Sequence, residues 1–144
     1  PAPLRFEAGT GNIADAVGLA AALEYVERIG LDKIDAYEHS LVEYAMHRLG
    51  RIPGVTLVGC AKEKASVVSF VLEGYESEEV GAALNAEGIA VRSGHHCAQP
   101  ILRRFGYETT VRPSFAFYNT FAEIDVLVDT VKRLAADAEL HRTR

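Results

Sequence analysis

Four short β-rich runs, at 55–59, 66–72, 89–92 and 110–118, are interleaved with helical stretches, and this order restricts the fold more than any other feature of the chain. No run is long enough to bury a face by itself, so they must share one sheet. The helical stretches lie before the first run, between the second and third, and after the last. The order α-α-β-β-α-β-loop-β-α predicts an α+β fold, a roughly four-stranded sheet covered by helices on one face.

The helices carry start and stop signals. Asn12 is placed to cap a helix that ends at Gly30, with Asp15 in its first turn. Ile13, Ala16, Val17, Ala20, Leu23 and Val26 recur at helical spacing, and small residues keep this helix slim enough to pack against a layer outside the chain. A second helix over 32–49 is expected to bury Ile34, Tyr37, Leu41, Tyr44 and Ala45 as one stripe. Pro53-Gly54 is a turn, and the two runs after it read as a hairpin. Ser77 can cap a short helix stopped by Gly88, and Thr120 with Glu123 forms a capping box for the last helix. From residue 135 the chain turns polar and is expected to fray.

A net charge of -5 with no Lys/Arg block argues against a surface that tracks nucleic-acid phosphates. No window approaches the ~20 apolar residues of a membrane span. The first residues lack the basic start and apolar core of a signal peptide. The chain begins at Pro1, which reads as a piece of something longer. Its two cysteines, Cys60 and Cys97, are expected to be reduced, as in a cytosol.

Chemistry concentrates in Arg92-Ser93-Gly94-His95-His96-Cys97-Ala98-Gln99-Pro100. A lone cysteine is commonly a small buried hydrophobe. Cys97 instead sits among polar residues, bracketed by glycine and proline, with Arg92, His95 and His96 as sources of positive charge. That environment suits a nucleophilic thiolate. Three adjacent residues cannot easily turn to one ion, so no metal site is expected. Arg92 and Arg112 fall in strands flanking the loop and suit a carboxylate; on a solvated sheet face they would be unremarkable. Gly9-Thr10-Gly11-Asn12 precedes a helix N-terminus, where free amides can meet a phosphate or simply be capped. His39, His47 and His141 read as surface, and Cys60 as structural.

Arg5-Phe6-Glu7-Ala8-Gly9-Thr10, the Cys97 loop, and Val111-Arg112-Pro113-Ser114 with Tyr118-Asn119-Thr120 resemble the C-terminal part of a group II, SufS-type cysteine desulfurase of the class V aminotransferases. The resemblance runs through essentially the whole chain, and the cysteine loop is its specific part. It implies the small domain of a fold-type I enzyme that uses pyridoxal 5'-phosphate (PLP). Residues 1–11 would be a lead-in from a large domain lying elsewhere, and 12–144 the small domain with its linking helix. The family takes sulfur from L-cysteine, leaves L-alanine and passes the sulfur to an acceptor protein, as in iron-sulfur cluster assembly.

By that resemblance Cys97 is the nucleophile that becomes a persulfide. Arg112 holds the substrate carboxylate, Arg92 orders the site and His96 lies beside the nucleophile. Gly9 and Thr10 face the cofactor phosphate, Thr10 that of the neighbouring subunit, so a homodimer is implied. The lysines Lys33, Lys62, Lys64 and Lys132 do not fall in the family's cofactor-binding motif, so this piece alone is expected to be inactive. Gly11 stands where proline is common, and Pro113 where alanine is commoner. These forms resemble a branch associated with encapsulin shells, which implies a cytoplasmic enzyme that can sit inside a nanocompartment. Selenocysteine lyase, another class V enzyme, and a non-enzymatic binding module are the alternatives.

Overall fold

The computed structural model describes residues 1–59 and 61–142. It divides into two compact units, Pro1–Asp35 and the remainder from Ala36 onward.

The first unit holds a short turn of helix at Leu4–Phe6, helix α1 at Ile13–Ile29 and the start of α2, Leu31–Leu49. Asn12 caps α1 as its sequence predicts, its side chain accepting from the Asp15 amide at 3.1 Å. No residue of α1 is buried, and Ile13, Val17 and Leu23 stay largely exposed.

The second unit is built on β1 (Val55–Val58), β2 (Ser69–Leu72), β3 (Arg92–Gly94) and β4 (Thr110–Arg112). They form one four-stranded sheet in the order β1-β2-β4-β3, with every neighbouring pair antiparallel. Helix α3 (Ser77–Ala86) connects β2 to β3, short α4 (Gln99–Arg104) lies between β3 and β4, and α5 (Phe121–Arg142) closes the chain.

Side-chain alternation decides which sheet face is covered. Phe70, Leu72 and Val111 turn inward against Leu41, Ala45 and Leu49 of α2, Val80 and Leu84 of α3, and Ile124, Val128 and Val131 of α5. Thr110 and Arg112, one residue either side of Val111, therefore lie on the opposite face, and their cross-strand partners Gly94 and Arg92 lie there too.

Several expected boundaries move, each for a local reason. The strand expected at 89–92 begins only at Arg92, because the Ile89 amide bonds back to the Leu84 carbonyl (3.0 Å) and seals α3. Ile89 and Val91 pack against the core from irregular chain. The run at 110–118 is a strand only to Arg112, since Pro113 has no amide for the ladder. Its inward alternation continues nonetheless, with Phe115 buried and its amide bonded to the Ser66 carbonyl at 2.8 Å. The strand expected from residue 66 begins at Ser69.

The cap of α3 is Glu76, in a reciprocal box with Glu79, and Ser77 is instead a buried first helical residue. The Thr120–Glu123 box forms as expected, with the Thr120 amide donating to Glu123 Oε2 at 2.7 Å and the Glu123 amide to Thr120 Oγ1 at 3.2 Å. The tail expected to fray from residue 135 is helical through Arg142, and Leu134 and Ala135 at its start pack against the core. Cys60 and the side chain of His141 lie outside the described residues, whereas His39 and His47 are exposed as expected.

Candidate active site

The Cys97 thiol is free and exposed, in the link between β3 and α4. The Ala98 amide donates to the His95 carbonyl at 2.8 Å and closes a four-residue turn over 95–98. Its two central residues have positive φ, +54° at His96 and +55° at Cys97. Two successive positive φ values mark the mirror-image turn usually built from Gly, Asn or Asp. For residues with a Cβ, left-handed backbone costs about 1–2 kcal/mol each, so surrounding contacts must hold it in place.

Two histidine contacts do so. His96 Nε2 lies 3.0 Å from both the carbonyl oxygen and Oγ1 of Thr110, a fully buried residue of β4. A carbonyl only accepts, so Nε2 carries the proton and ties the turn to the sheet. His96 Nδ1 is buried without a partner. Burial pushes the His96 pKa below its ordinary value, and the charges of Arg112 and Arg92 push the same way, against the Thr110 hydrogen bond that raises it. The reading of His96 as a source of positive charge therefore changes: the fold favours the neutral ring. The second contact is local, the Cys97 amide donating to His95 Nδ1 at 3.0 Å.

Arg92 and Arg112 are direct cross-strand partners on this face. Like charges so placed oppose folding. No ion pair to either is found among the described residues, and Arg112 Nε is buried without a hydrogen-bond partner. A planar anion that accepts from a guanidinium fork would relieve both conditions. For PLP, the Gly9–Thr10 stretch expected to meet its phosphate is exposed in the first unit. Gly9 has φ +80° and open space around it.

Sequence reading finds the nucleophile candidate and both arginines but misses Thr110, Gly81 and the specific part played by His95. Gly81 was detectable, because a lone glycine inside a helical pattern calls for a packing reason. A Cβ there would lie 2.6 Å from Ser93 Oγ, so α3 and β3 approach more closely than alanine permits. Nothing in the sequence marks Thr110.

The chain belongs to the class-V aminotransferase family, whose model matches residues 1–127. It is 71% identical over 133 residues to a probable cysteine desulfurase of Mycolicibacterium paratuberculosis, covering 92% of this chain and 19% of that one. Among solved structures, the apo cysteine desulfurase of Thermococcus onnurineus superposes with a TM-score of 0.88 at 42% identity, over 94% of this chain and 34% of that one. A cysteine desulfurase of Escherichia coli, in an S-sulfonic acid form, gives 0.83 at 37% identity, over 91% of this chain and 32% of that one. The α+β unit is thus the fold found in these desulfurases, and the chain spans about a fifth to a third of the relatives it matches.

Proposed function

We propose that this chain is the small domain of a PLP-dependent cysteine desulfurase, with Cys97 as its sulfur-accepting nucleophile. The observation that carries the reading is an exposed thiol presented by a left-handed turn beside two cross-strand arginines, one with a buried, unpartnered Nε. When bound through the rest of the full-length protein, PLP supplies the electron sink for breaking the substrate's C–S bond. Gly9 and Thr10 are the residues of this chain that would meet its phosphate.

The remaining steps belong to this chain. Arg112, supported by Arg92, holds the carboxylate of L-cysteine and so presents the substrate sulfur to Cys97. A bond forms between Cys97 Sγ and that sulfur. The substrate Cβ–S bond breaks, its electron pair passes to the carbon, and protonation there gives L-alanine. Cys97 is left as a persulfide for transfer to an acceptor protein. Neutral His96 holds the turn in place and lies beside the nucleophile without adding charge.

The link between β3 and α4, only residues 95–98, supports group II membership, in which the nucleophile's loop is short. The full-length enzyme is proposed to be a homodimer in the cytoplasm, where thiols stay reduced. Residence within an encapsulin shell rests on the Gly9-Thr10-Gly11-Asn12 and Arg112-Pro113-Ser114 forms.

The test is the full-length PLP-loaded enzyme given L-cysteine. The native protein should gain one sulfur on the Cys97 peptide by mass spectrometry, and Cys97→Ala should lose sulfide release while keeping the cofactor's absorbance. Undiminished sulfide release by that variant would reject the assignment. A parallel assay with L-selenocysteine separates the desulfurase reading from a selenocysteine lyase.

A further inference from the structure

We infer that His95 is a positioning residue for Cys97, acting as a hydrogen-bond acceptor that clasps the strained turn from within. The inference deepens the proposed function and rests on it for its catalytic consequence.

The Cys97 amide donates to the His95 ring at Nδ1, two residues back, over 3.0 Å. This contact repeats the geometry of an Asx turn, in which the side-chain oxygen of Asn or Asp accepts the amide two residues on. Histidine Nδ1 and asparagine Oδ1 stand the same number of bonds from the backbone, so an imidazole can play the amide's part. Since Nδ1 accepts, the ring's proton resides on Nε2.

The clasp matters because of what it holds. His96 and Cys97 both lie at positive φ, backbone that is uncommon for any residue with a Cβ, although histidine is enriched there. The backbone bond from Ala98 to His95 closes the turn, and the His96 ring ties it to Thr110. Of these three contacts, the one from His95 engages the backbone of the cysteine itself. It therefore bears most directly on the orientation of the Cα–Cβ bond from which the thiol projects.

The experiment compares His95→Ala, His95→Asn and His95→Gln in the full-length PLP-loaded enzyme. Two quantities are read: amide hydrogen exchange of the peptide spanning 93–100, and kcat with KM for L-cysteine. Loss of one hydrogen bond should raise exchange at Cys97 and lower kcat by about three- to tenfold, with KM little changed. Asparagine at this position retains an acceptor at the right distance, so His95→Asn should stay within about twofold of the native enzyme on both readouts. Glutamine places its oxygen one bond too far, so His95→Gln should behave like His95→Ala.

Native exchange and kcat in His95→Ala would overturn the inference. So would an asparagine variant as impaired as the alanine variant, which would point to a proton-carrying histidine instead. Rescue by glutamine equal to that by asparagine would also overturn it, because the length of the clasp would then be irrelevant. Exchange is read without turnover, so a failure of the desulfurase assignment leaves this measurement interpretable by itself.

Discussion

Arg92 and Arg112 stand directly opposite each other on adjacent antiparallel strands, two positive side chains set on the sheet face away from the hydrophobic core. Such a pair opposes folding unless an anion joins it. The buried, unpartnered Nε of Arg112 makes it the deeper member, so it should carry more of the substrate's carboxylate.

Arg112→Ala in the full-length enzyme should weaken L-cysteine binding by about 1.5–3 kcal/mol, the worth of hydrogen bonds to a charged group. The loss should fall mainly on KM. Lysine cannot restore a planar fork and should recover only part of it. Steady-state kinetics of both variants check this, and an unchanged KM in the alanine variant would remove Arg112 from the substrate site.

Gly81→Ala should destabilise the fold. Its new Cβ would meet Ser93 at 2.6 Å from Oγ and 2.9 Å from Cβ, forcing β3 away from α3. Overpacking of this kind costs about 1–3 kcal/mol. Ser93→Gly in the same chain should return part of that, and a double-mutant cycle by thermal unfolding measures the coupling. Purely additive effects would show that the close approach is not what excludes alanine.

Glycine in place of Cys97 should be tolerated better than alanine. Alanine keeps the left-handed penalty at φ +55°, about 1–2 kcal/mol. Glycine escapes it but gives back about 0.5–1 kcal/mol through its freer unfolded chain. Cys97→Gly should thus be up to about 1.5 kcal/mol more stable than Cys97→Ala, read from urea midpoints. Equal midpoints would mean the turn relaxes once the thiol is gone.

Stability should depend on His96 at acid pH. Its pKa is lowered in the fold, chiefly by burial, so the unfolded chain takes up a proton first as pH falls. The contribution is complete above the unfolded-state value of about 6.5 and declines as pH drops through the folded value. His96→Gln, which cannot titrate, should show a shallower loss of stability on the acid side. Urea unfolding across that range gives the two slopes, and identical slopes would assign the acid sensitivity elsewhere.

Much of the architecture was legible because it rests on local rules. The Asn12 cap, the Thr120–Glu123 box and the alternation from Val111 to Phe115 are each set by a few neighbouring side chains. Strand ends were less legible. Where β3 begins depends on the Ile89 amide turning back to Leu84, and where β4 ends depends on Pro113 meeting a ladder that only the folded sheet supplies. The packing of Leu134 and Ala135 on the core, where α5 turns polar, is likewise concealed by composition.

By itself the sequence determined that a cysteine preceded by two histidines, with a proline three residues on, would lie in a short loop between two arginine-bearing strands. It did so through residue identity and spacing, quantities that do not depend on distant contacts. Only the tertiary structure decided that Arg92 faces Arg112, that His96 turns to Thr110, and that His95 holds the cysteine's own amide. Those relations arise from strand register and from positive φ at residues with a Cβ. Both are imposed by the assembled sheet, against what His96 and Cys97 would adopt alone.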